Sequence, residues 1–288
     1  MSGILSRRRL LRNLGVLGVS GASLATRAPQ AASAKAPEAP TKAERPRVLA
    51  LIGDRYHNAD YIRVAFDKLF REVNLPVDYT TNYDQLSASL LRQYRLLVLL
   101  RDGMIWPNGY LTPNDYEYSP ALENSRLWPP ENFQPWITPE QGNAIKDFVA
   151  SGNALYAFHN STNIALYSQG VRDVLGGAYL GHPPLRPFKV RIVNKEHPIT
   201  RGVEDFVVND EQHFVTYDKD PKYVLLESEN IDGLTFENFG AKSLGGWAYE
   251  YEKGRVVFTA VGHTLHALWQ PEYFKLQKNA VRWLLKRN

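Results

Sequence analysis

The 288-residue chain contains no cysteine. That single absence excludes disulfides, thiolate metal ligands and a cysteine nucleophile together. No Gly-x-Gly-x-x-Gly follows the first apolar run, and the sequence has no phosphate-binding P-loop, no His-Glu-x-x-His and no Gly-x-Ser-x-Gly. Each of those motifs places backbone donors, ligands or a nucleophile at fixed spacing, so their absence argues against a nucleotide cofactor and against serine hydrolysis. An excess of basic charge is also missing once the N-terminus is set aside. The formal charge is +4, but residues 1–34 hold five arginines and no acid, leaving 29 basic against 30 acidic residues. No basic patch or binding motif then points to nucleic acid.

The N-terminus reads as an export leader. Ser6-Arg7-Arg8-Arg9-Leu10-Leu11 is basic, Leu14 to Ala25 is apolar and rich in glycine, and Ala32-Ser33-Ala34 supplies a small-x-small cleavage site. Paired arginines before Leu-Leu favour the twin-arginine route and a periplasmic or otherwise extracytoplasmic destination. The apolar stretch falls short of the ~20 residues that cross a bilayer core of ~30 Å, so no membrane span is expected after cleavage. Residues 35–46, rich in Ala, Pro, Lys and Glu, read as a flexible linker. Residues 47–288 are long enough for one α/β domain with a buried sheet.

Within that domain short apolar runs alternate with helical patterns. Val48–Ile52, Pro76–Thr80, Leu96–Leu100, Ala154–Phe158 and Arg255–Val261 read as strands; Ile62, Ala65, Phe66, Leu69, Phe70 and Val73 share one helix face. The alternation predicts a doubly wound, mostly parallel central sheet flanked by helices, with a more antiparallel second half around Phe188–Val193 and Val224–Glu227. Residues 103–137 interrupt the rhythm with seven aromatics, Trp106 and Tyr110 among them. An insertion of this length is either a lid over a ligand, whose aromatic faces would suit a sugar, or a flap covering the core.

Ligands in open α/β sheets bind beyond the carboxyl ends of the strands. His57, His159 and His263 each follow such a strand, so one rim should gather three imidazoles. Phe158-His159-Asn160-Ser161-Thr162 is a strand end entering a helix, where Ser161 or Thr162 is expected to cap the helix and His159 or Asn160 to face a ligand. If Asp210-Glu211-Gln212-His213 is extended, Glu211 and His213 share a face. That pair would bind a metal, share acid–base work or simply brace the sheet. The candidate catalytic set is therefore His159, Glu211, His213 and His263, with His159, His213 and His263 as ligands for a zinc-like divalent ion. His57, Asn160, Trp106, Tyr110 and His182 are candidates for binding substrate. His197, in His197-Pro198-Ile199-Thr200-Arg201-Gly202, reads as part of a structural turn.

From about Val48 to Leu285 the sequence resembles the ThuA-like (trehalose-utilisation) family, whose fold is similar to class I glutamine amidotransferases. The likeness rests on Ala157-Phe158-His159-Asn160-Ser161, on the His197–Gly202 turn, on Asp210-Glu211, on Gly254-Arg255-Val256-Val257-Phe258 with Gly262-His263-Thr264, and on a terminal helix carrying Trp283. The resemblance implies a flavodoxin-like fold and a role in disaccharide use through keto-sugar intermediates, with a separate sugar oxidoreductase as partner. The amidotransferase relatives use a cysteine at the strand–helix elbow; here the elbow reads His159-Asn160, which rules out thiolate-driven glutamine hydrolysis. Two readings follow: a carbohydrate-active enzyme working by His/Glu acid–base chemistry with a metal, or a non-catalytic sugar- or partner-binding module on the same scaffold. Convergence of the five candidate residues His57, His159, Glu211, His213 and His263 in one cleft would favour the first.

Overall fold

The computed structural model describes residues 48–106 and 133–286. The expected leader, the linker and most of the aromatic insertion, Tyr110 included, lie outside the described residues. In chain order the strands are β1 (Val48–Ile52), β2 (Val77–Thr80), β3 (Leu96–Leu100), β4 (Met104–Ile105), β5 (Gln134–Pro135), β6 (Ala154–Phe158), β7 (Tyr179–Gly181), β8 (Arg186–Ile192), β9 (Phe206–Asp210), β10 (Phe214–Val215), β11 (Val224–Asn230), β12 (Lys242–Tyr251) and β13 (Gly254–Thr259). The helices are α1 (Ala59–Glu72), α2 (Ala88–Leu91), α3 (Pro139–Ala150), α4 (Gln169–Leu175), α5 (Leu265–Leu268) and α6 (Pro271–Leu284).

Nine strands form one mixed sheet in the order β2-β1-β3-β6-β13-β12-β11-β8-β9. The first five are mutually parallel and the remaining pairings antiparallel. The parallel strands are apolar throughout because both of their faces are covered. Val48, Ala50 and Ile52 of β1 pack on one side with Phe66 and Leu69 of α1 and Leu276 of α6. Leu49 and Leu51 pack on the other with Ile145 of α3 and Val171 of α4. This period-two split makes the fold doubly wound. Helices α1 and α6 cover one face, α3 and α4 the other. Phe66 and Phe70 are fully buried; truncating such a ring to alanine costs ~3–5 kcal/mol.

Local chemistry fixes where each helix begins. Asn58 caps α1 by accepting the Asp60 N–H at 2.7 Å. Thr138 and Gln141 form a reciprocal capping box at α3, with proline at the first turn. After β6 the chain does not enter an α-helix directly, as the strand end at Phe158 led one to expect. His159–Leu166 is a 3-10 segment, and α4 starts afresh at Ser168, whose hydroxyl accepts the Val171 N–H. Neither Ser161 nor Thr162 caps: their hydroxyls donate to the carbonyls of Leu99 at 2.8 Å and His159 at 3.4 Å. The His197 turn is structural, with the imidazole accepting the Ile199 N–H and packing on Trp283.

Candidate metal and acid–base site

The parallel strand order reverses direction between β1 and β3, and the loops that leave those two strands open a crevice at the carboxyl rim. Asp54 and His57 follow β1, Asp102 follows β3, His159 and Asn160 follow β6, and His263 follows β13. The antiparallel half adds Asp210 and Glu211 from the end of β9, His213 just before β10, and His182 after β7. His57, Asp102, Asn160, His182, Glu211, His213 and His263 border a cleft of about 540 Å³ whose wall also includes Tyr56, Asn163 and Tyr179.

The backbone at the elbow is unusual. His159 has φ of 48°, in the left-handed region that a non-glycine residue seldom occupies. This conformation turns the imidazole back under the rim, where it is fully buried. The position of Gly262 depends on it, since a Cβ there would lie 2.7 Å from the His159 Cβ.

The outer hydrogen bonds set the tautomers. His159 Nδ1–H donates to the Ala260 carbonyl at 2.7 Å, so Nε2 carries the lone pair and points at Glu211 Oε2, 3.4 Å away. His57 Nδ1–H donates to Asp54 at 2.9 Å, which leaves the Nε2 lone pair facing His263 Nδ1 at 3.0 Å. The Asn160 amide donates to the same Asp54 carboxylate at 2.6 Å, as does the Asp102 N–H at 3.0 Å. His263 Nδ1 also lies 3.0 Å from Glu211 Oε2. The Asp210 carboxylate holds this last loop in place by accepting the N–H groups of Gly262 and His263 at 2.7 and 3.0 Å.

The lone pairs of His57 and His159 and the Glu211 carboxylate thus converge on one point, where His263 Nδ1 carries a proton in the metal-free protein. His57, His159, His263 and Glu211 present ligand atoms that all lie within 4.8 Å of each other. His159 Nε2 is buried without a hydrogen-bond partner among the described residues. Buried acceptors aimed at a carboxylate oxygen are costly unless a proton or a cation lies between them. Around tetrahedral zinc, with bonds of ~2.0–2.1 Å, neighbouring donors stand ~3.3 Å apart. The observed spacings of 3.0 and 3.4 Å at Glu211 suit such an ion. Asp54 behind His57 and the Ala260 carbonyl behind His159 are the supports that orient metal-binding imidazoles.

Electrostatics divides the imidazoles. Burial pushes His159 down and His213 well down, so both imidazoles stay neutral. Burial also disfavours charge on His263, but the Glu211 carboxylate outweighs it and raises that histidine. Burial alone would raise Glu211; the imidazoles of His159, His213 and His263 reverse this and hold its carboxyl well below the usual range. Asp102 goes the other way, pushed up to about 7 by burial and by the Asp54 charge.

The structure therefore brings together His57, His159, Asn160, His182, Glu211, His213 and His263. Glu211, Gln212 and His213 form a connection between β9 and β10 rather than an extended strand, yet Glu211 Oε2 and His213 Nε2 still approach to 3.6 Å. His57 takes a place among the potential ligands, whereas His213 groups with His182 on the other side of Glu211. Trp106 stacks under the Arg55 guanidinium at 4.4 Å and is absent from the cleft wall formed by the described residues. Sequence reasoning passed over Asp102 and Asp54 as site residues. The signal for Asp102 was available, since it stands two residues beyond the apolar run of β3, on the same rim as the histidines.

A ThuA family model, described as trehalose utilisation, matches residues 47–284. A solved structure of a protein described as ThuA-like from Bacteroides uniformis is 18% identical, with 88% of this chain and 96% of that chain covered at a TM-score of 0.57. Another, from Parabacteroides merdae, is 12% identical over 84% of this chain and 90% of that one, at 0.58. A cytoplasmic protein of Salmonella typhimurium is 18% identical over 83% and 99%, at 0.53. No curated protein matches the chain.

Proposed function

The chain belongs to the ThuA family, and from that premise we propose that it is an exported enzyme that processes a sugar or keto-glycoside by acid–base chemistry beside a divalent metal. The observation that carries the reading is the set of inward lone pairs around Glu211, which makes sense as a ligand shell and has no use in a merely braced sheet. His57, His159, His263 and Glu211 would hold the ion. When bound, it would act as a Lewis acid on a carbonyl or hydroxyl oxygen of the sugar.

The remaining groups of the cleft supply the proton chemistry. Asp102 lies on the cleft wall, one of its oxygens accepting the Met104 N–H at 3.0 Å. Its carboxyl, pushed up to about 7, is matched to taking and returning protons near neutrality. A ketone on a sugar ring acidifies the neighbouring C–H. Asp102 removes that proton, the electron pair moves into the enolate, and the protonated Asp102 then either gives the proton to the glycosidic oxygen as the enolate expels it from the next carbon or returns it to the enolate. Positioned acid–base catalysis of this kind contributes ~10²–10⁴-fold. Tyr56 and Tyr179 offer flat faces for a ring, and Asn163 lines the same wall. No redox cofactor motif accompanies the site, so a separate sugar oxidoreductase would supply the ketone.

The test is to load the protein with zinc or manganese and incubate it with keto-glycosides in D₂O. Deuterium should enter the carbon next to the ketone, and cleavage or isomerisation should follow. Both should be lost in His263→Ala. Sugar binding without exchange or turnover across the panel would instead support the non-catalytic binding module.

A further inference from the structure

The four residues assigned to the first ion leave part of the cluster unexplained. His182 Nδ1–H donates to the Pro183 carbonyl at 2.9 Å, so its Nε2 lone pair faces Glu211 Oε2 at 3.6 Å. His213 Nε2 faces the same oxygen, also at 3.6 Å. These separations are too long for hydrogen bonds but fit two donors on one cation. His213 is only 2% exposed, and both of its ring nitrogens are buried with no hydrogen-bond partner among the described residues. A neutral imidazole placed so loses a donor and an acceptor, a cost of ~1–3 kcal/mol for each. The ring is held face to face between His159, 3.8 Å away, and His182, 5.1 Å away and inclined by 14°. Stacking fixes the plane of His213 without satisfying its nitrogens. Both nitrogens are buried, and a cation between Nε2 and the Glu211 carboxylate would satisfy the one that faces it.

We propose that His182, Glu211 and His213 form a second divalent-cation site, so that the Glu211 carboxylate serves two ions and the centre is dinuclear. The second ion has only three protein ligands. His182 and Glu211 are partly exposed to the cleft, so its open positions face the side from which substrate enters. Paired ions of this kind clamp both the attacked and the departing oxygen of a substrate. The proposal rests on the metal reading of the first site, and the experiment separates the two.

The full chain, stripped by chelator and titrated with Zn²⁺, is followed by equilibrium dialysis with elemental analysis. Two ions per chain are expected in the wild type. One is expected in His182→Asn and in His213→Asn, and none held tightly in Glu211→Gln. His182 lies at the edge of the cleft, so its variant remains informative if His213→Asn fails to fold. Mn²⁺ loading should give the multiline EPR spectrum of a coupled pair in the wild type and an isolated six-line spectrum in His182→Asn. Saturation at one ion, unchanged in both histidine variants, overturns the second site and leaves the first standing. Two ions in both the wild type and His182→Asn also overturn it. No tightly held ion in the wild type overturns both.

Discussion

Replacing Asp102 by asparagine should stabilise the metal-free protein, and more so the higher the pH. Asp102 sits 3% exposed beside the Asp54 carboxylate, and burial together with that charge raises it from 3.8 to about 7. A carboxyl whose folded value exceeds its unfolded value resists ionisation in the native state. Stability is therefore lost as pH rises from the unfolded value through the folded one. At ~1.4 kcal/mol per unit the whole penalty is on the order of 4 kcal/mol, and about 3 kcal/mol of it develops between pH 4.5 and 8. Asparagine keeps an oxygen to accept the Met104 N–H and removes the charge. Urea unfolding of chelator-treated wild type and Asp102→Asn at the two pH values is the assay. With a slope of ~2–3 kcal/mol/M, the gap between midpoints should widen in favour of the variant by roughly 1 M from pH 4.5 to 8. Titrating groups remote from Asp102 are common to both proteins and cancel. A constant gap, or one that widens in favour of the wild type, would refute the argument that Asp102 is held protonated by burial and by Asp54. Catalysis should move oppositely, with turnover in Asp102→Asn reduced ~10²-fold or more if the carboxyl is the base.

Asp54→Asn removes the carboxylate that orients His57, and metal affinity measured by competition with a chromophoric chelator should weaken ~10–100-fold. Gly262→Ala drives a methyl against His159, so the stability from urea unfolding should fall by ~1–3 kcal/mol, with weaker metal retention alongside. Glu211 is held below its ordinary value of 4.5, so in the metal-free protein its stabilisation is present above about that pH and lost below it. The stability difference between wild type and Glu211→Gln should accordingly shrink as pH drops from 6 to 3, and a difference that grows on acidification would contradict the assigned contacts. Thr138→Ala breaks the α3 capping box and should cost ~1 kcal/mol without altering metal content.

Much of this was readable from the chain because strand ends and site residues share one logic. The apolar runs of β1, β6 and β13 are unbroken, so each histidine that follows one had to emerge at the rim. The amphipathic face of α1 was equally plain from Ile62, Phe66 and Leu69. What escaped reading depends on contacts distant in sequence. Nothing local reveals that Asp54 receives Asn160, 106 positions away, or that Asp210 accepts the amides of residues 262 and 263. The division of the histidines around Glu211 was hidden for the same reason. For His182 it is the neighbouring Pro183 carbonyl that fixes the tautomer, a contact the sequence alone does not reveal. The break after His159 went unseen because the 3-10 segment and α4 carry similar apolar residues, and only Ser168 marks the restart.

The place of β9 in the sheet has a mechanical consequence. It is the outermost strand, four places from β13, and strands spaced at ~4.8 Å would set the two ~19 Å apart in a flat sheet. Yet Asp210, its last residue, is bonded to the amides just beyond β13. The loop that leaves β13 therefore reaches across toward the edge strand, with Asp210 as the clasp that holds it. Ion binding at Glu211 would draw that clasp tight and couple a free edge to the centre of the molecule. The backbone amides of β9, ordinarily among the first to exchange in an edge strand, would then report the metal state of a site that most of the strand does not touch.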